Sequence, residues 1–522
     1  MEVRPANVFD YLILNIIQKL FMGVDVVMFQ FENQLLKLKH EVLTKIVVLA
    51  KENKISKEEL EKIPYDMIMG DIPTYRDTVE QERDVILERV KLAAGYNPNG
   101  KYGQELINVE DEKQILYVIK EACDRCHTKK FQVTNACRNC VAHKCQSVCN
   151  FDAITYIDGR AYIEPDKCRE CGMCKNVCPY NAIAEDMRPC KKSCPTGALN
   201  YDPNDLSAKI NESKCVNCGA CMSACPFGAI EDKSSIVKVV YELMNKENIY
   251  AIVAPAITGA FGLKTTYGQV KNAIKALGFK DMKEVACGAD AVTVHESIEF
   301  VERMKKGDCY MTNSCCPGFL SYIEKIMPDQ VERISGTVSP MVATGRYVKA
   351  KDKDAKVVFI GPCTAKKNEA IIDSIKDAVD YVLTFEELVA LFDAFEVDPS
   401  SCEDITVEDG SIFGRGFAMA GGLTAAIESY VKEKGIEVNF NSVKVSGGAE
   451  IKKTLIMAKA QKLQGNFIEG MMCEGGCING TAKIVPVMKA KIPFTKINQQ
   501  STIKSVSANK VLEEYKGINL ER

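Results

Sequence analysis

Twenty-four cysteines dominate the chemistry open to this chain, against four histidines and no tryptophan. Two stretches, CRECGMCKNVCP and CVNCGACMSACP, set Cys168, Cys171, Cys174 and Cys178, and then Cys215, Cys218, Cys221 and Cys225, in the pattern C-x2-C-x2-C-x3-C-P. A looser copy supplies Cys137, Cys140, Cys145 and Cys149, and a partial one, CKKSCP, supplies Cys190 and Cys194. Each copy is followed by a similar tail (NFDAI, PYNAI, PTGAL, PFGAI), so the segment is an internal repeat that pairs its four copies into two units. The chemistry this suggests is iron–sulfur ligation. Three thiolates on one tight loop can cap three irons of a cubane, and the fourth iron then needs a cysteine from elsewhere. A disulfide framework fits poorly, because such frameworks belong to small secreted chains. Zinc throughout also fits poorly, because three-plus-one spacing does not match paired C-x2-C zinc modules.

The repeat resembles the cluster-binding run of bacterial two-cluster ferredoxins, in which the fourth ligand comes from the partner run. That crossing rule joins Cys137, Cys140 and Cys145 with Cys178, joins Cys168, Cys171 and Cys174 with Cys149, and joins Cys215, Cys218 and Cys221 with Cys194. Cys190 and Cys225 are left two ligands short. Cys123 and Cys126, in CDRC, are the only other cysteines of the region. With them the segment holds three to four [4Fe-4S] clusters; the competing reading of the last four is a zinc or vacant C-x2-C site, or a cluster using His127. His143 reads as a loop residue. A row of cubanes is a wire: it says that electrons travel, not what they reduce.

Three later segments carry further chemistry: TNSCCPGF with Cys315 and Cys316, GPCTAKKNE with Cys363 and Lys366, and EGMMCEGGCING with Cys473 and Cys477. Four thiolates from these loops could hold one more cubane. Adjacent cysteines do not easily ligate the same cluster. One of the pair is then a free thiol beside metal, and such a thiol can move a proton.

At these residues the chain resembles the FeFe hydrogenases, whose three signature segments occur here in order, and it is close to their monomeric, cytosolic, group B-like branch. The resemblance implies that Cys316, Cys363, Cys473 and Cys477 bind the cubane of an H-cluster. Cys477 would bridge to a diiron subsite bearing CO, CN and a dithiolate. Lys366 would hold one cyanide by a charge-assisted hydrogen bond, and Pro255 and Ala256 would line the other. Met471 would pack against the diiron site, and Cys315 would pass protons to it. Glu296, Glu299 and Arg303, in CGADAVTVHESIEFVERM, match the family's acidic helix, and Ser335 matches the serine between the two glutamates. Their spacing of three and four independently places the first three on one helix face. The chain departs from the family at Asn313 (usually threonine), Phe319 (tryptophan), Gly361 (methionine), Met341 (glutamine) and Thr258 (arginine), and the glycine run after Cys477 is shortened to Gly480-Thr481. These changes leave the ligand set intact and bear on rate, bias and oxygen tolerance. The resemblance further implies H2 and protons as substrates, a ferredoxin- or flavodoxin-type electron carrier, and dedicated maturation proteins. Cys287, Cys309 and Cys402, with His40 and His295, read as structural.

The elements that must position these residues follow from composition and periodicity. At 522 residues the chain exceeds one ordinary core. Residues 1–115 carry no cysteine and show helical periodicity over Glu32–Leu49 and Gln81–Ala94, with Ser56 and Glu59 as a capping box and breaks at Ile63-Pro64 and Ile72-Pro73. They read as an α-helical N-terminal domain. Residues 116–235, with sixteen of the 24 cysteines, read as an α+β ferredoxin-like domain. Residues 236–522 read as an α/β catalytic domain, with short buried strands at Ile249–Ala254 and Lys356–Ile360. A net charge of −3 provides no basic field for nucleic acid. The apolar stretch Phe9–Phe31, interrupted by Asp10, Gln18, Lys19 and Asp25, reads as buried helix and not a membrane span. With no signal-peptide pattern and so many free thiols, the expected location is the cytoplasm.

Overall fold

The computed structural model describes residues 31–98, 114–123, 126–127, 129–245 and 248–522. The stretch Phe9–Phe31 lies outside them except for its last residue. Among the described residues no helix is long and apolar enough to cross a membrane.

The chain divides into two compact units. The smaller comprises Val118–Cys215 and Ala220–Ile230; the larger takes in the N-terminal helices, the short piece Val216–Gly219 and everything from Glu231 onward.

The larger unit is α/β. Its four-stranded sheet, in the order Asp281–Glu284, Ile249–Val253, Lys356–Gly361, Tyr381–Thr384, is parallel throughout. Parallel strands buried on both faces read as unbroken apolar runs, and here Ala251, Ile252, Val253, Val357, Val358 and Ile360 are fully buried. Both expected strands therefore appear, within a residue of their expected ends. A second parallel sheet has the order Met311–Thr312, Phe467–Met471, Ser442–Ser446. The segments bearing Pro255, Cys316, Cys363 and Cys473, and the acidic segment, leave the C-terminal ends of parallel strands, where α/β folds place their sites. The acidic segment forms the helix Val285–Lys305.

The N-terminal helices Gln34–Lys51, Lys57–Met67 and Val79–Ala93 are capped by Asn33, Ser56 and Thr78. The Ser56 hydroxyl accepts from Glu59 N at 3.3 Å, but the Glu59 carboxylate turns to Lys62, so only half of the expected capping box forms. Ile63-Pro64 is not a break: Pro64 sits inside the helix Lys57–Met67, close enough to its C-terminal end that one lost amide does not stop it. These helices belong to the same unit as the C-terminal segment, and charged groups of the two meet across a long sequence distance. Arg89 pairs with Glu231, Lys39 lies 3.6 Å from Glu231, and His40 Nε2 lies 2.6 Å from Asp393. Cysteine content, which suggested three segments, marks chemistry and not which surfaces bury each other.

The smaller unit is α+β. It has three antiparallel pairs: Phe131–Val133 with Ile183–Glu185, Ile154–Ile157 with Arg160–Ile163, and Leu199–Tyr201 with Ala208–Ile210. Each cysteine copy contributes one short helix: Lys144–Ser147, Met173–Val177, Pro189–Ser193 and Ala220–Ala224.

Lys367 is buried between Asp232 at 2.6 Å and Glu387 at 3.0 Å. Removing one partner of such a group leaves uncompensated charge in the interior, so Lys367→Met should lower unfolding free energy by about 3 kcal/mol in a urea titration.

Candidate metal centre

Four loops of the larger unit surround a cavity of about 80 Å³, lined by Cys316, Cys363, Cys473 and Cys477 together with Cys315, Lys366, Pro255, Ala256 and Met471. Its remaining walls are largely apolar and include Met341, Phe359, Phe417 and Cys218. The four expected ligand sulfurs are near enough to influence one another. Burial, then Cys316, pushes the Cys363 thiol up to about 11. Burial, then Cys316 and Cys363, pushes Cys477 up to about 12, and burial with Cys363, Cys316 and Cys477 raises Cys473 well above the ordinary thiol value. Thiols that resist ionisation this strongly become good ligands once a cation supplies the missing stabilisation. The donor set, four cysteines on one largely apolar cavity, fits an iron–sulfur centre.

Local chemistry explains how the loops reach the cavity. Cys316 is the N-cap residue of the helix Pro317–Ile326, with Pro317 at its first position. Gly476 has φ +106°, and a Cβ there would lie 2.5 Å from Ala420 N and 2.7 Å from Ala418 O. Only glycine lets the Cys473–Cys477 loop lie against that backbone, where Ala420 N donates to Gly475 O and Ile478 N to Ala418 O. The departures from the family pattern are accommodated. The Phe319 ring lies over Gly470, and the Phe359 ring covers the space a side chain at Gly361 would take. Thr258 Oγ1 donates to Pro255 O at 2.9 Å.

Behind Cys315 lies a chain of polar groups. Glu296 is fully buried, and neither carboxyl oxygen has a partner in hydrogen-bonding geometry. Burial, then Glu299, pushes it up to about 8, only partly offset by Ser335 and the Ser314 amide. Glu299 accepts from Ser335 Oγ at 2.6 Å, Arg303 Nε at 2.9 Å, Gly336 N at 2.9 Å and Thr337 Oγ1 at 3.1 Å. The expected group of Glu296, Glu299, Arg303 and Ser335 is thus brought together. Sequence reasoning missed Thr337, and it read as structural His295, whose Nδ1 lies 2.9 Å from Thr337 Oγ1. It named Asn313 only as a departure from the family pattern, without its contact: Asn313 Nδ2 donates to Cys315 Sγ at 3.1 Å. Lys366 Nζ meets Glu369 at 2.6 Å and Cys315 O at 3.4 Å. Burial opposes its charge, but Glu369, Cys363 and Cys315 outweigh burial and hold it above the ordinary lysine value.

In the smaller unit, Cys190 is pushed up to about 11 by burial and then by Cys225, Cys123 and Cys126. The four cysteines left over by the crossing rule are therefore neighbours. Arg188 clamps their loop by donating to His127 O at 3.0 Å, Cys126 O at 3.2 Å and Leu206 O at 2.6 Å. Burial raises Cys174, with Cys168, Cys171 and Cys149 adding to it, the set the crossing rule assigns. Cys145 Sγ lies 3.5 Å from the Tyr156 hydroxyl, on which Cys140 and Cys137 also act. His143 stacks on Tyr156, with ring centroids 3.9 Å apart, and the His127 ring is exposed, 3.8 Å from Asp186.

The repeat has a structural counterpart. Cys149, Cys178, Cys194 and Cys225 each accept from the amide of the alanine four residues on, at 3.4, 3.4, 3.2 and 3.4 Å. The residue before each alanine (Asp152, Asn181, Gly197, Gly228) has positive φ. The tails are alike because each must turn through the left-handed region to aim an amide at sulfur.

A family model for the iron only hydrogenase large subunit, C-terminal domain, matches residues 247–481, and one for the 4Fe-4S binding domain matches 161–184 and 208–231. The chain is 32% identical over 379 residues to the periplasmic [Fe] hydrogenase large subunit of Nitratidesulfovibrio vulgaris, covering 62% of this chain and 86% of that one. The chain belongs to the iron-only hydrogenase family. It is also 29% identical over 388 residues to iron hydrogenase 1 of Clostridium pasteurianum, spanning 63% of this chain and just under two thirds, 66%, of that relative. The family likeness extends to a cytosolic Fe-S cluster assembly factor, NAR1 of Eremothecium gossypii, 33% identical over 122 residues, 23% of this chain and 27% of that one.

Two predictions follow from the geometry. Folding raises Glu296 from about 4.5 to about 8, so its neutral form stabilises the fold at the acid end, and that contribution is lost as pH rises through this window. Glu296→Gln should flatten this part of the pH–stability curve of the metal-free chain, measured by urea denaturation. Replacing both Cys126 and Cys190 by serine should lower the iron content by about four atoms per chain; an unchanged count in the purified holoprotein would exclude a cluster there.

Proposed function

We propose that this chain interconverts H2 with protons and electrons at an H-cluster in the cavity of the larger unit, with [4Fe-4S] clusters of the ferredoxin-like segment relaying the electrons. The observation that supports this reading most directly is the convergence of Cys316, Cys363, Cys473 and Cys477 on one cavity that also presents the Cys315 sulfur, with the unpartnered acid Glu296 behind it.

In this reading Cys316, Cys363, Cys473 and Cys477 would hold the iron centre, with Lys366, Pro255, Ala256 and Met471 lining the space for its diiron part. When bound, the centre supplies the redox chemistry of hydrogen. The protein's own residues move protons and exclude water. Arg303 fixes Glu299 as the outer acid. The Ser335 hydroxyl, bonded to Glu299, lies between it and Glu296. Glu296, titrating near neutral pH, gives and takes a proton at little cost, and Cys315 completes the path. Cys218 lines the same cavity, so the run that carries it is the natural last relay for electrons. The partners are a ferredoxin- or flavodoxin-type carrier and hydrogenase maturation proteins, and the setting is anaerobic and cytoplasmic.

Similarity to the assembly factor favours a second reading, in which the domain holds iron–sulfur clusters without catalysis. Cys315, Lys366 and the buried acid path have no use in that role. Hydrogen evolution from a chemically reduced dye separates the two. Matured protein should turn over. Cys315→Ala should lose at least about 100-fold of that activity while its clusters, followed by electron paramagnetic resonance, remain. No turnover in matured, cluster-replete protein would favour the assembly reading.

A further inference from the structure

Asn313, fully buried, bridges the strand Phe467–Met471 and the Cys315 sulfur. Its Oδ1 accepts from Gly470 N at 2.8 Å, and its Nδ2 donates to Gly470 O at 3.3 Å and to Cys315 Sγ at 3.1 Å. The two ends of a carboxamide have nearly the same shape, so its orientation must be decided by its partners. Here the backbone decides it: Gly470 N is a donor, and only the oxygen end can receive it. The nitrogen end therefore faces the sulfur. An amide nitrogen donates and cannot accept. Sulfur is thus the acceptor in this contact, and the thiol hydrogen must point elsewhere.

We infer that Asn313 is a positioning residue, which donates to the Cys315 sulfur from a fixed direction and so turns the thiol hydrogen away from the strand and toward the cavity. The inference rests on the hydrogenase reading of the cavity. Lys366 touches the Cys315 carbonyl and not its sulfur, so Asn313 is the side chain seen to direct that sulfur. A hydroxyl here, as in the family's usual threonine, could either donate to the sulfur or accept from it; the carboxamide removes the second option. The step is a proton transfer alone. The S–H bond releases its proton into the cavity, the Glu296 carboxyl replaces it, and Glu296 is reloaded from the Ser335–Glu299 side, with no oxidant or reductant consumed.

The test uses full-length, anaerobically matured protein and three variants: Asn313→Asp, Asn313→Ala and Asn313→Thr. The readouts are the infrared S–H stretch of Cys315, the bands of iron-bound CO and CN, and hydrogen turnover. Asn313→Asp replaces a donor by an acceptor, so the S–H band should move to lower frequency and turnover should fall about 100-fold with the CO and CN bands kept. If that variant does not fold, Asn313→Ala decides: it leaves the sulfur without its donor, and the band should broaden while turnover falls by about tenfold or more. Asn313→Thr should keep turnover within about threefold. An S–H band unmoved in the Asp and Ala variants, whatever their turnover, would overturn the inference, because Asn313 would then merely tie strand to loop. Absence of CO and CN bands from the unsubstituted matured protein would overturn the hydrogenase reading instead.

Discussion

Four cysteines share one largely apolar cavity, where burial makes ionisation costly for Cys363, Cys473 and Cys477, and the loops around them are organised about that cost. Burial is the first cause of the raised values at Cys363, Cys473 and Cys477. The proximity of the other sulfurs comes next, and it grows worse if more than one ionises. A bound cation-rich centre would offset both costs at once. The fold supplies the geometry from parallel strands, whose C-terminal ends deliver Pro255, Cys316, Cys363 and Cys473 into the same space.

In the proposed function the same cavity wall separates two kinds of traffic. On one side Cys218 lines the space, and the piece Val216–Gly219 that carries it belongs to the larger unit while its flanking residues do not. Thr364, next to Cys363, donates to Asn217 O at 2.8 Å, which ties that piece to the Cys363 loop. On the other side the groups are acids and hydroxyls. Glu296 is held without a partner, which would be a costly defect in a purely structural core. In a relay it is useful, because an acid titrating near neutral pH loses little energy in either direction.

Much of this was legible in the sequence, and the reason is locality. Cluster ligands on one tight loop must be close in sequence, so the four copies could be read directly. The unbroken apolar runs at Ile249–Val253 and Lys356–Gly361 announced buried parallel strands. The spacing of Glu296, Glu299 and Arg303 announced a shared helix face. What stayed hidden depends on distant partners. Nothing near Arg188 marks it as a clamp on three carbonyls, and nothing near Arg89 points to Glu231. Pro64 misled because a proline near the end of a helix removes only one bond. The tails DAI, NAI, GAL and GAI held a readable signal, a left-handed residue followed by an alanine amide aimed at sulfur, and it was read only as a repeat.

The central claim is that the loops bearing Cys316, Cys363, Cys473 and Cys477 hold an organometallic iron centre in an otherwise apolar cavity. Infrared spectroscopy of anaerobically matured protein, paired with an iron count on the same sample, addresses it most directly. The account predicts vibrations of carbon monoxide and cyanide bound to iron, and their loss on replacing Cys477 by serine while the accessory clusters persist. A fully iron-loaded, matured sample without such vibrations would contradict it.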